Sequence, residues 1–217
     1  MIDLHTHTFL SDGVLVPSEL VRRAEVKGYK TIALTDHADA ANLESVISQL
    51  SAVARTLNKG GAVRVIAGVE LTHIPPRNIK GLVARARELG AQIVVGHGES
   101  IAEPVAPGTN TAFISSGVDV LAHPGLVTAT EAKAAAKRGV HFEITSRGGH
   151  SLTNGHVAAM AKKYGVLMLL NSDAHAPCDL IDDKKGQSVA LGANLTKTDY
   201  RKMKKNAEKL SALALRK

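Results

Sequence analysis

The sequence predicts an α/β fold, a distorted seven-stranded (β/α)7 barrel of the TIM type, and three observations lead there. Short apolar runs rich in β-branched residues alternate with helical stretches from end to end. A glycine closes several of the helices just before the next run. A residue able to bind a metal stands directly after nearly every run.

The runs are Ile2–Leu4, Thr31–Leu34, Val63–Val69, Gln92–Val95, Val118–Leu121, Val140–Ile144 and Val166–Leu170. They are apolar at consecutive positions, as expected of parallel strands covered on both faces. Between the first two, Pro17 suits the first turn of a helix that stops at Lys27-Gly28. Helices are expected over 40–58, 78–89 and 110–116 as well. Thr128 and Glu131 have capping-box spacing, and their helix stops at Lys137-Arg138-Gly139. Another should cover 152–164. Gly28, Gly90, Gly139 and Gly165 each stand just before a strand. Tyr200, Met203, Ala207, Leu210 and Ala214 recur at helical spacing, which predicts an amphipathic C-terminal helix over about 198–215. No Gly/Ser-rich or Pro-rich linker interrupts the series, so residues 1–217 read as one domain. The Pro- and Gly-containing loop at 98–110 should lie over one end of the sheet.

Composition excludes several classes of function. At 44% hydrophobic and 22% charged, the chain can bury a core and is not disordered. No apolar run approaches the roughly 18–20 residues that span a bilayer. The opening MIDLHTHT lacks the basic and apolar regions of a secretory signal, so the expected location is the cytoplasm. Cys178 is the single cysteine, which rules out an internal disulfide or a cysteine-based zinc knuckle. We expect it to be buried or half-exposed. The net charge of +7 suggests nucleic acid at first, but residues 197–217 carry +6 of it. The remaining 196 residues are nearly neutral. With only six Phe and Tyr and no Trp, a base-stacking surface is also disfavoured. The basic segment reads as a docked helix with a solvated face.

The ten histidines carry the chemistry. His5 and His7 follow the first run, His37 the second, Glu70 the third, His97 the fourth, His123 the fifth, and Asp173 with His175 the seventh. A His-x-His pair at a strand end sets both imidazoles on one side, because side chains alternate with period two. Taken alone, such a pair is as compatible with incidental polar residues as with a metal. Eight such residues at six run ends, in phase with the β-α repeat, are not incidental. Parallel strands send all these residues to the same end of the sheet, and a closed barrel brings them to one point. That convergence selects the barrel over an open sheet. Nitrogen and oxygen ligands without sulfur suit Zn, Mn or Fe(II).

The motifs His5-Thr6-His7, Ser11-Asp12-Gly13, Thr35-Asp36-His37, Gly68-Val69-Glu70, Gly96-His97-Gly98-Glu99, Ala122-His123-Pro124-Gly125 and Asn171-Ser172-Asp173-Ala174-His175 resemble the polymerase and histidinol phosphatase (PHP) superfamily. The likeness runs from residue 2 to about 195 and is nearest to its short histidinol-phosphatase-like branch. It implies two to three divalent ions and hydrolysis of phosphoesters. One ion would take His5, His7, Glu70 and Asp173. A second would share Glu70 and add His97 and His123, and a third would take Asp12, His37 and His175. Two close ions can hold a bridging hydroxide as nucleophile and neutralise phosphoryl oxygens.

The sixth run has no ligand after it but leads into Thr145-Ser146-Arg147-Gly148-Gly149-His150. At the barrel mouth, Arg147 could fork onto a phosphate, and similar enzymes have such an arginine in this region. Glu70, Asp173, His175 and Arg147 are therefore the candidate catalytic residues. His150 is either a pocket residue or an exposed loop histidine. His73, His141 and His156 read as surface or packing residues. Asp36, Glu99 and Ser100 are candidates to orient the ligand imidazoles. The expected partner is a small phosphorylated metabolite such as histidinol phosphate, with no membrane. Three other readings compete: a nuclease or nucleotide phosphoesterase on the same metals, an amidohydrolase-type barrel, and a non-catalytic scaffold. The second lacks its bridging lysine at Gly96-His97-Gly98, and the complete ligand set speaks against the third.

Overall fold

A computed structural model describes residues 1–216. Along the chain it places β1 (Ile2–Asp3), α1 (Pro17–Val26), β2 (Thr31–Leu34), β3 (His37–Ala38), α2 (Leu43–Leu57) and β4 (Arg64–Leu71). These are followed by α3 (Pro76–Glu88), β5 (Ile93–His97), α4 (Thr109–Ser116), β6 (Val120–Ala122), α5 (Ala129–Arg138) and β7 (His141–Thr145). A 3-10 turn (His150–Thr153), α6 (Asn154–Tyr164), β8 (Met168–Asn171), α7 (Asp183–Gly192) and α8 (Lys197–Ala214) complete it.

All seven long-path strands are parallel, in the order β1-β2-β4-β5-β6-β7-β8, and β3 adds two residues beside the end of β4. The ring closes where β1 runs on past its own end. His7 N–H donates to Ala174 O at 2.9 Å, and Asp173 N–H donates to His5 O at 3.0 Å. The result is a nearly closed TIM-like barrel, as the sequence predicts.

Period-two alternation divides the strand residues between two environments. Ala33, Ile66, Ile93, Val95, Val120, Ala122 and Leu169 form a core inside the barrel. Their neighbours Leu34, Val65, Val94, Leu121, Ile144 and Leu170 pack outward under the helices. The inner core also contains Ala207, Leu210 and Ala214 of α8. Gln92 donates to Ala214 O, and Asn206 donates to Met168 O, so α8 lies across the N-terminal ends of the strands. Its capping box is Thr196 and Asp199, and Lys202, Lys205 and Lys209 face solvent. The basic helix is docked, and its charge lies at the end of the barrel opposite the strand C-termini.

Besides the two-residue β3, which no apolar run announced, two elements depart from the sequence expectation. α7 was not anticipated, because it buries only Gly186 and Ala190 and has no clear apolar stripe. Its one local signal is Asp182, whose side chain accepts from Lys185 N–H as an N-cap. The expected helix at 152–164 begins instead as the 3-10 turn.

Gly96, next to His97, is needed for close packing. A Cβ there would sit 2.5 Å from Cγ of Phe113, a ring fully buried on α4. Gly96→Ala should therefore lower stability by about 1–3 kcal/mol, the range for overpacking a filled core. Urea denaturation of the two proteins measures it.

Candidate metal centre

Every strand end but that of β7 leads to a polar residue at the same place. His5 and His7 extend from β1, His37 opens β3, Glu70 lies near the end of β4, His97 ends β5, His123 follows β6, and Asp173 and His175 follow β8. The His7 ring centroid lies 4.2 Å from that of His37 and 4.1 Å from that of His175. His97 and His123 are 4.5 Å apart. His5, His7 and Glu70 are fully buried, and His97, His123 and Asp173 nearly so. His123 and Asp173 hold positive φ of 28° and 52°, a costly backbone for side-chain-bearing residues and one found at functional sites.

The spacing of donor atoms suits metal coordination. Ligands about 2.0–2.2 Å from a common ion lie about 3.0–3.6 Å from one another. His7 Nε2 is 3.0 Å from His5 Nε2 and 3.2 Å from Asp173 Oδ1. Glu70 Oε2 is 3.3 Å from His5 Nε2 and 3.6 Å from His7 Nε2. On one side of this group, Asp12 Oδ1 lies 3.2 Å from His175 Nε2 and 3.5 Å from His37 Nε2. On the other, His123 Nε2 lies 3.6 Å from Glu70 Oε1, while His97 Nε2 meets Glu103 Oε2 at 3.1 Å. Both Glu70 oxygens are buried and accept no hydrogen bond. His37 Nδ1, 2.8 Å from one of them, bonds Thr72 Oγ1 instead. An ionised carboxylate buried this way costs several kcal/mol unless a cation compensates it. The residues fit a multinuclear divalent metal site.

Groups behind the imidazoles set their orientation. His5 Nδ1 is 2.9 Å from Glu143 Oε1, His37 Nδ1 is 2.7 Å from Thr72 Oγ1, and His175 Nδ1 is 2.9 Å from Asp173 O. With Nδ1–H donating in each case, the Nε2 lone pairs turn toward the centre. Glu143 is one residue that sequence reading missed. It lies in β7, fully buried, and also accepts from Asn171 Nδ2 and His123 N–H. Its signal was present: a lone carboxylate in the apolar run His141–Thr145 at an inward-facing position.

Charge in the cluster is strongly redistributed. Burial would raise the Glu70 carboxyl, but charge on His5, His37 and His97 outweighs it and holds the group well below its ordinary range. Burial pushes Asp173 up to about 7, with Glu70 and Glu143 adding to the effect of burial and His5 opposing it. His7 and His123 are driven well below the usual imidazole value, first by burial and then by neighbouring imidazoles. Burial opposes charge on His5, His37 and His97, yet all three go up, because Glu70 acts together with Glu143 and Asp173 at His5, Asp12 at His37 and Glu103 at His97. The acidic surroundings thus favour cationic charge at these three positions, which a bound divalent ion would also supply.

The other sequence candidates divide. Arg147 lines the mouth together with Asp12, His37, His97, His123, His150, Asp173 and His175. Its Nη1 donates to Asp179 Oδ2 at 3.1 Å, and the same oxygen accepts from His175 N–H and Ala176 N–H. His150 is buried, with its ring stacked 4.1 Å from His123 and its Nδ1 2.6 Å from Ser100 Oγ. Ser100 thus orients an imidazole, as anticipated, though not one of the strand-end histidines. Asp36 and Glu99 do not. Asp36 accepts from Thr8 N–H, Thr8 Oγ1 and Ser11 Oγ, holding the loop that presents Asp12. Glu99 accepts from Asn110 N–H and anchors the next loop to α4. His141 and His156 bond backbone carbonyls away from the centre, whereas His73 joins Glu103 at the rim, 3.1 Å away. Cys178 is exposed rather than buried or half-exposed, because it sits on the loop after β8.

Comparison with known proteins agrees with this geometry. A family model described as the PHP domain matches residues 3–214. An uncharacterised protein of Methanocaldococcus jannaschii is 50% identical over 196 residues, covering 89% of this chain and 90% of that protein. A probable phosphatase of Shewanella pealeana is 29% identical over 216 residues, covering 87% and 83%. Among solved structures, one chain of archaeal ribonuclease P with mature tRNA has the same fold, with a TM-score of 0.72 at 15% identity over 99% of this chain and 91% of that one. Histidinol phosphate phosphatase from Lactococcus lactis, complexed with zinc, L-histidinol and phosphate, gives 0.61 at 14% identity over 90% and 94%. At such identities the structures show the fold alone. The family match spans nearly the whole described chain, and with it the chain belongs to the PHP domain family.

Proposed function

We propose that the protein is a metal-dependent phosphoesterase whose substrate is a small phosphorylated metabolite, histidinol phosphate or a similar phosphomonoester. The observation that carries this reading is the buried Glu70 carboxylate, without a hydrogen-bond donor, amid imidazole nitrogens at coordination spacing. His5, His7, Glu70 and Asp173 would hold one ion, and Asp12, His37 and His175 another. Glu70 with His97 and His123 would hold a third. Zn, Mn or Fe(II) suits these donors; when bound, such ions activate water and neutralise phosphoryl oxygens.

The chain's own residues supply the rest. Glu143 sets the ring of His5 through Nδ1, so that Nε2 would be the atom presented to a bound ion. Arg147, half-buried at the mouth, offers a planar fork to a terminal phosphate, and Asp179 holds it there. Asp173 and His175 share backbone and side-chain contacts that keep both aimed at the centre. The basic face of α8 lies at the far end of the barrel, where it cannot lead a polynucleotide into the mouth. This favours a small substrate over a nucleic acid. The zinc, histidinol and phosphate named for the Lactococcus enzyme are consistent with the same choice.

Protein purified without chelator should contain two to three transition metal ions per chain. It should hydrolyse at least one of histidinol phosphate, a nucleoside bisphosphate, a sugar phosphate and an aryl phosphate, side by side. Elemental analysis that finds no metal, with activity indifferent to chelators, would sink the proposal.

Glu143→Gln should weaken metal binding by roughly 10- to 100-fold, the usual effect of losing an anionic partner behind a ligand histidine. Competition with a chromophoric chelator reads that change directly.

Arg147→Ala should cost roughly 10- to 150-fold in kcat/KM, or about 1.5–3 kcal/mol for a hydrogen bond to a charged group. Metal content should stay at the parent value. Arg147→Lys should recover little, since an ammonium cannot form two parallel bonds. Parent-like kinetics in both variants would return Arg147 to the surface.

A further inference from the structure

The residues His150 and Glu103 lie outside the strand-end pattern, yet both face the centre. His150 follows Gly148-Gly149, and Gly149 at φ 82° turns the chain back over the mouth. The ring of His150 is 8% exposed, lies nearly parallel to that of His123, and is 5.9 Å from that of His97. Donor nitrogens of His97, His123 and His150 all come within 4.8 Å of one another. Ser100 Oγ, 2.6 Å from His150 Nδ1, fixes the ring plane. With Nδ1–H donating to that oxygen, Nε2 presents a lone pair to the site, the arrangement usual behind metal-bound histidine.

Glu103 approaches from the loop between β5 and α4. Its Oε1 is 3.4 Å from His150 Nε2, and its Oε2 is 3.1 Å from His97 Nε2. Both distances match the separation of about 3.0–3.6 Å between ligands of one divalent ion. His73, itself at φ 52°, holds Glu103 from the outer side at 3.1 Å. Three imidazoles thus converge, and Glu103, from an otherwise surface loop, reaches two of them through one oxygen each.

We propose that His150 and Glu103 are metal ligands, completing with His97 and His123 the position of one ion at the barrel mouth. The proposal rests on the metal-dependent reading above and adds two ligands to it. It gives the loop that carries Glu103 a fixed seat through the ion. It also accounts for the buried His150 ring and for Ser100 behind it.

The test is metal stoichiometry and affinity, measured on zinc-loaded full-length protein by elemental analysis and chelator competition. His150→Phe keeps a ring against His123 while removing the nitrogen. Glu103→Gln alters a half-exposed loop residue and leaves the core intact. We expect His150→Phe to lose one ion or bind it at least tenfold more weakly, with the other ions unchanged. Glu103→Gln should weaken the same ion severalfold. If His150→Phe does not fold, Glu103→Gln decides alone. Full occupancy at parent affinity in the folded variants overturns the proposal and leaves the metal-dependent reading standing. Wild-type protein that binds no zinc overturns both.

Discussion

Glu70 sits at 0% exposure with no hydrogen-bond donor on either oxygen, and much of the structure follows from keeping it there. A carboxylate stripped of water needs positive charge on several sides. A single helix or hairpin cannot supply that, but a ring of strand ends can. β4 carries Glu70 to the centre, and imidazoles arrive from the ends of β1, β5 and β6 and from the start of β3. The second buried carboxylate facing the group, Glu143, is offset differently. It is bound by Asn171 Nδ2, His123 N–H and His5, so it restrains ligands without needing a cation of its own.

This division explains how much of the centre could be read from the sequence. The strand-end histidines and carboxylates were legible because they recur in phase with the β-α repeat. A parallel barrel turns that phase into proximity. Glu143, Glu103, Asp179 and the inward role of His150 were not legible. Glu143 lies within a strand rather than after one. The other three sit on loops whose paths depend on tertiary contacts, such as His150 on Ser100 or Asp179 under the N–H groups of His175 and Ala176. The fold shows the same limit. Short apolar runs and capped helices were recognisable, whereas α7 was hidden by its weak periodicity.

The barrel also keeps its chemistry apart from its surface charge. The strand C-termini hold the polar cluster, and the N-terminal ends are plugged by Ala207, Leu210 and Ala214 of α8. A net charge that suggests nucleic acid in the sequence thus belongs to a structural helix, whose buried face completes the inner core. The charge therefore lies at the end of the barrel opposite the polar cluster.

That plug bears on how the protein is made. Residues 3–7 bond to residues 171–174, so the ring cannot close until most of the chain has left the ribosome. The floor of the barrel waits longer still, for residues 207–214. At 5–20 residues per second, β1 emerges roughly 10–40 s before the last turn of α8 is available to complete the inner core. Contacts this distant in sequence form slowly, because the loop must be closed before they can stabilise anything. During that interval the inward faces of the strands are open to water and to other chains. Until then Ala33, Ile66 and Val95 lack the residues of α8 that complete their core.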